Sequence, residues 1–219
     1  MFVIVAKVKG TQKASAKIAK KIDQVLNNMN KKYSEDLFEN FKRVNQISFE
    51  GVLEKGIYVF EVVDKLKFSL SEYDMVFGVG FAEPIHRSND QRAVLESGKL
   101  NAHHALEILE EKNDYGNARV QVSLGKQNSL ENLINASLRT SDFIESRWRQ
   151  SQVELVKYLV LTYGFMENFI QKDVAKVLKL SPQNFNQQLK NSGYFNILKL
   201  KREMTVVLEQ YRRAAYQIR

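Results

Sequence analysis

The stretch QKDVAKVLKLSPQNFNQQLKNSG, residues 171–193, decides how the second half of this chain folds. It reads as two short helices joined by a tight turn. Val174, Ala175 and Leu178 share one face of the first helix, and Phe185 and Leu189, four apart, give the second its buried face. Leu180 sits in the turn. Ser181 is a good N-cap, and Pro182 falls at the first helical position, where a missing N–H costs nothing. A small alanine where the helices cross and an apolar residue in the turn make the pattern of a helix-turn-helix. Lys179 stands where such turns often carry glycine, because the backbone there tends to positive φ. A side chain in that conformation costs roughly 1 kcal/mol.

The outward face of the second helix carries Gln183, Asn184, Asn186, Gln187 and Lys190, residue types that suit base edges and phosphates. On that reading Gln183, Asn184 and Gln187 contact bases in double-stranded DNA, while Lys190, Lys172, Lys199, Lys201 and Arg202 hold phosphates. Charge agrees. The chain of 219 residues has a formal net charge of +8, and residues 1–140 contribute +2 of it against +6 from residues 141–219. A basic balance alone is weak, since it also arises from solvated lysine-rich helix faces.

On either side of this stretch the pattern is helical. Thr140-Ser-Asp offers an N-cap for a helix running to Gly164 that carries Trp148, Arg147 and Arg149. A long last helix begins near Phe195, with Ile197, Leu200, Met204, Val207, Tyr211, Ala214 and Ile218 at alternating spacings of three and four. That stripe suits a helix pair, either a homodimer through residues 197–218 or packing on the 141–163 helix of the same chain. Tyr194 and Phe195 either stack on bases or wedge this helix against the helix-turn-helix core.

The first 125 residues alternate between strand and helix. Strands are expected at residues 2–8, at 41–53 as two short strands bent near 48–51, at 75–81 and at 118–124. Helices fill residues 14–33, 55–70 (Ile57, Val59, Phe60, Val63 and Leu66 inward) and 97–112 (Leu100, Ala102, Ala105, Leu106 and Ile108 inward). The order β-α-β-β-α-β-α-β predicts an α+β fold, a ferredoxin-like sheet domain with an added strand and helices over one face. The glycines of MVFGVGF, residues 75–81, imply close approach of a neighbour or a ligand. Residues 126–140 read as a linker with a short helix, SLENLINASL (129–138), leaving 141–219 as an all-α domain.

The segments MVFGVGFAEP (75–84), ESGKLNAHHALEILEEKN (96–113), FIESRWRQSQVELVKYLV (143–160) and 171–193 together resemble the bacterial SatD family. The resemblance implies a nucleotidyl-cyclase-like sheet domain joined to a DNA-binding-type helix-turn-helix, with a regulatory role. The sequence departs from that pattern where chemistry would live. Cyclase-like folds place acids at the end of the first strand and in the next hairpin to hold two divalent cations. Here those positions read Ala6-Lys7-Val8-Lys9 and, over residues 47–52, ISFEGV, with Glu50 the lone acid. Metal-dependent nucleotidyl transfer is therefore not expected, nor is any cofactor.

Other chemistry finds little support. The adjacent His103 and His104 point about 100° apart on a helix, His86 is the only other histidine, and there is no cysteine, so a zinc site is not expected. The KGTQ turn, residues 9–12, has one glycine and lacks the spacing of a phosphate loop. No apolar run is long enough to span a membrane and no signal peptide leads the chain, which makes a cytoplasmic protein the expectation. Two functions from different classes follow. One is a non-enzymatic DNA-binding regulator. The other is a protein–protein or ligand-sensing module whose helix-turn-helix is a packing unit.

Overall fold

The computed structural model describes residues 1–10, 16–84, 90–111, 116–126 and 128–217. It is an α+β protein with one five-stranded mixed sheet and eight α-helices among the described residues. The strands are β1 (Phe2–Val8), β2 (Leu37–Arg43), β3 (Ser48–Leu53), β4 (Met75–Phe81) and β5 (Val120–Ser123), ordered β2-β3-β1-β4-β5. The β1 strand pairs antiparallel with both β3 and β4, β2 pairs antiparallel with β3, and β5 adds parallel to β4. Residues 38–41 belong to β2, so the first of the two short strands begins earlier than expected.

The element order of the first half is the expected one, with α1 (Ala16–Lys32), α2 (Val59–Ser69) and α3 (Gln91–Glu111) as the connecting helices. A 3-10 turn, Gly56–Tyr58, leads into α2. The helices do not share one face of the sheet. Phe2, Ile4, Ala6 and Val8 point to the side that holds α1 and α2, while Val3 and Val5 point to Leu95, Ala102, Leu106 and Leu109 of α3. Alternation explains this: β1 is apolar at every position but Lys7, so both of its faces need cover. Gly78 and Gly80 belong to that second layer, because a Cβ at either would collide with α3 backbone at Ala102. The close neighbour is a helix. Two inward assignments fail, since Ile57 and Leu100 are exposed.

The short helix expected within 126–140 is present and runs on to Ser146. Asn128 caps α4 (Ser129–Ser146) by accepting from Glu131 N. This helix lies along β5 and closes its edge with side chains. Asn135 accepts from Val122 N and donates to Val122 O, both at 2.8 Å. Glu131 accepts from Leu124 N, and Asp142 accepts from Arg119 N and Val120 N. Three polar residues thus take the place of a sixth strand. Their side chains are polar because each completes the backbone bonding of the β5 edge.

The helix expected from 141 to 164 is broken. Its first part ends α4, and α5 (Gln150–Tyr163) starts after a turn at 147–149 in which Arg149 is extended and its N–H donates to the Gln152 side chain. Beyond it come α6 (Gln171–Val177), α7 (Pro182–Ser192) and α8 (Tyr194–Gln217). Among the described residues the α8 stripe packs largely within its own chain. Tyr211 meets the Phe81 ring edge-on, Glu209 accepts from Gly56 N, and Lys201, Met204, Thr205 and Leu208 are buried. Ala214 is exposed, and Ile218 lies outside the described residues. One apolar core runs unbroken from Phe2 through Leu66, Leu138 and Leu159 to Phe185 and Leu189.

Candidate functional site

The α6–α7 pair forms for the reasons read from its residues. Val174, Ala175, Phe185 and Leu189 are buried. Ser181 Oγ accepts from Asn184 N, Pro182 opens α7, and Gly193 ends it in the left-handed region at φ 64°. Lys179 is, among the described residues, the one non-glycine residue at positive φ, 54°, and the turn is closed by Leu180 N donating to Ala175 O at 2.8 Å. Trp148 Nε1 donates to Ser192 O at 2.8 Å and ties the C-terminus of α7 to the α4–α5 turn.

The nine residues assigned to DNA separate. Gln183, Asn184, Asn186, Gln187 and Lys190 on α7, Lys172 on α6 and Lys199 on α8 are exposed. Lys201 is not on the surface at all. It is 2% exposed, and its Nζ reaches both Asp64 oxygens, at 2.8 and 2.9 Å, and Glu145 at 2.9 Å. Arg202 pairs with Glu167 at 2.7 Å. Lys201 shares the buried register of Ile197, Met204 and Leu208, a signal the sequence did carry. Tyr194 is buried and serves as the wedge, while Phe195 stacks on Phe169 at 6.2 Å.

Around Lys201 lies a buried charge cluster where α2, α4 and α8 meet. Lys67 donates to Glu145 at 2.6 Å and sits 3.4 Å from Asp64. Burial pulls the Lys67 ammonium down, but Glu145 and Asp64 outweigh it and hold its pKa above the ordinary lysine value. Burial likewise pushes the Glu145 carboxyl up, and Lys201 and Lys67 reverse this, bringing it to about 2. For Asp142, burial outweighs the pull of Lys67 and raises the carboxyl to about 6. Every charge here is compensated by another, so the cluster is structural in character.

The arrangement that faces solvent with unspent bonding capacity is elsewhere. A cleft of about 400 Å³ lies between the α4–α5 turn and α7, lined by Arg147, Arg149, Ser151, Gln152, Asn184, Gln187, Gln188 and Asn191. No carboxylate lines it. Arg147 rests its guanidinium over the Phe143 ring, 4.8 Å from the centroid. Among the described residues neither Arg147 nor Arg149 forms an ion pair. Gln188 donates through Nε2 to Asn184 Oδ1 at 3.0 Å, and its Oε1 is buried with no hydrogen-bond partner. Asn184 and Gln187 were expected at a binding surface; Arg147, Arg149 and Gln188 were not. Their signal is the Arg-Trp-Arg turn and the spacing of 184, 188 and 191 along one face of α7.

Glu50 is held between Lys42 at 3.4 Å and Lys99 at 3.9 Å, and Lys7 pairs with Glu110 at 2.6 Å. Among the described residues no group of three or more His, Asp or Glu side chains is placed to hold a metal ion. His103 and His104 are exposed, and His86 lies outside the described residues, as do Thr11 and Gln12 of the KGTQ turn.

Fold and cleft together define an α+β protein with a polar, carboxylate-free cleft in its helical half. The family model of the SatD family matches residues 3–208, sheet and helices alike, and the chain belongs to that family. No curated protein and no solved structure matches it. The expectation of a DNA-binding transcription regulator does not stand. The match is to the SatD family, and of the five cations assigned to phosphates Lys201 is buried among acids and Arg202 is paired with Glu167 at the surface. Among the described residues no helix is long and apolar enough to cross a membrane.

Proposed function

We propose that this SatD-family chain is a non-catalytic binding module that recognises a polar, negatively charged small molecule in the cleft between the α4–α5 turn and α7. The observation that carries the reading is the pair of arginines, Arg147 and Arg149, lining one cavity that no carboxylate lines. A guanidinium held without an acid is an anion receptor, because its fork of N–H groups matches carboxylate and phosphate oxygens. The cavity is within the size range of small-molecule sites, roughly 300–1,000 Å³. The finer description of the fold belongs to the same proposal. The placement of β1 between β3 and β4 supports a ferredoxin-like, cyclase-like sheet whose metal positions are replaced by lysines. The positive φ of Lys179 and the capped α7 support a helix-turn-helix used as a packing unit. A cytoplasmic location goes with it.

The test is thermal denaturation of the full chain with a panel of phosphate- and carboxylate-bearing small molecules at low ionic strength. A rise in melting temperature that is abolished in the Arg147→Gln/Arg149→Gln double variant is the expected result. No shift with any anion, or an equal shift in the double variant, overturns the reading.

A further inference from the structure

The α4 helix is inverted relative to an ordinary surface helix. Its three carboxylates turn inward: Glu131 and Asp142 accept backbone N–H groups at the β5 edge, and Glu145 meets Lys67 and Lys201. The side chains left outside are apolar or small. Leu133 is 65% exposed, Phe143 47% and Ile144 38%, and Ala136 and Thr140 are exposed between them. Arg139, the remaining charge within the helix, is half-buried on the flank. A helix packed on one side ordinarily presents charge on the other, so an uncharged outer face marks a surface that another molecule covers.

We infer that this face is a self-association surface, on which α4 packs antiparallel against α4 of a second copy of the chain, across a two-fold axis at the level of Leu138. Such pairing does not depend on what the cleft binds.

Spacing names the occupant. Leu133, Ala136, Thr140 and Phe143 follow one another at intervals of three, four and three, the seam of a helix pair. The series reads the same in both directions. In the two-fold register Leu133 of each copy lies opposite Phe143 of the partner subunit, and Ala136 lies opposite Thr140 of the partner subunit. Large meets large at the two ends, and small meets small in the middle, where the backbones must come close. A two-fold contact requires a patch complementary to itself, a condition that an unlike partner does not impose.

Charge points the same way. With a net charge of +8, two copies of the chain repel one another over much of their surface. The α4 seam brings no charged side chain between them from Leu133 to Phe143. The next position in the series, Arg147, falls opposite Ser129 of the partner subunit. The two Arg147 side chains thus stand at opposite ends of the seam, about 27 Å apart along the axis, beyond the ~8 Å over which salt screens them at physiological strength. A seam of three turns lies at the low end of specific interfaces, below roughly 1,200 Å². The dimer is therefore concentration-dependent, with a Kd on the order of 10 μM.

Sedimentation equilibrium of the full chain between about 1 and 200 μM, a range that brackets this Kd, tests the inference. A monomer–dimer equilibrium is expected. Thr140→Arg, which puts a guanidinium from each copy at the centre of the seam, is expected to weaken association more than tenfold without changing the circular dichroism spectrum. Val206→Arg, at an exposed apolar position on α8, is expected to leave association unchanged. The chain has no cysteine, so disulfide trapping reads the register directly. Leu133→Cys/Phe143→Cys is expected to cross-link two chains on oxidation, because these positions are opposed between copies and too far apart to bridge within one helix. Leu133→Cys alone meets itself only in a parallel pair and is expected to stay uncross-linked. A monomer throughout the range gives the face to an unlike partner and overturns the inference. So does a dimer that Thr140→Arg leaves intact, one that Val206→Arg dissociates, or cross-linking of Leu133→Cys alone.

Discussion

Lys201 of α8 donates to both carboxylate oxygens of Asp64 on α2, at 2.8 and 2.9 Å, across 137 residues of sequence. With Glu145 and Lys67 alongside, the pair pins the last helix to the sheet's covering layer in a place water does not reach. Removing one partner leaves the others buried and under-compensated, which is costlier than the pair itself is stabilising.

Lys201→Met is accordingly expected to lower unfolding free energy by about 3 kcal/mol, toward the low end of the range for a broken buried pair because Lys67 remains. Lys199→Met, two residues away and exposed, is expected to be near neutral. Urea titrations of both variants followed by circular dichroism make the comparison, and equal midpoints would refute it.

Asp142 gives a pH dependence whose sign is fixed. Its folded carboxyl titrates near 6, above the ordinary 3.8. A raised carboxyl contributes stability that is full below the unfolded value and is lost as pH rises through the folded one. The unaltered chain should therefore lose melting temperature relative to Asp142→Asn between about pH 4 and 7. The asparagine oxygen keeps both backbone bonds, since Arg119 N and Val120 N donate to one Asp142 oxygen. Glu145, depressed to about 2, acts in the opposite sense and below this window.

Lys179 at φ 54° is a strained position that glycine relieves. Lys179→Gly is expected to stabilise by about 0.5 kcal/mol, the strain released less the added freedom of the unfolded chain. Lys176→Gly, inside α6, is expected to destabilise by about 1 kcal/mol. Opposite signs in chemical denaturation are the result to look for.

Asn135 pairs with both backbone groups of Val122, so Asn135→Leu strands a buried N–H and C=O and is expected to cost about 2–3 kcal/mol. Hydrogen exchange at Val122 N–H should accelerate in that variant while exchange in β1 changes only with global stability. An unchanged rate at Val122 would count against the edge-closing role of α4.

Strands and helices of the first half were legible in the sequence because each buries a periodic apolar set. β4 is apolar throughout and β1 at all but Lys7, and α1 repeats its apolar residues at Ile18, Ile22, Val25 and Met29. The turn at Lys179–Ser181 was legible too, since capping and proline chemistry are local. What was not legible depends on partners distant in sequence. The polar Glu131, Asn135 and Asp142 look like linker residues until the β5 edge they complete is in place. Lys201 looks like a surface cation until Asp64 and Glu145 face it. The cleft draws its arginines from one turn and its amides from a helix some forty residues later, and no local pattern announces that meeting.

With α4 lying along β5, the sheet of this protein is one-ended. Its remaining flank is β2, whose pairing with β3 slips twice and whose outer residues include Glu39, Lys42 and Arg43. Charge and irregular register are the features by which exposed flanks resist annealing to a neighbouring chain. Recruitment of a foreign strand is thus blocked by a helix on one side and discouraged by charge on the other, which leaves the helical half as the surface open to encounter.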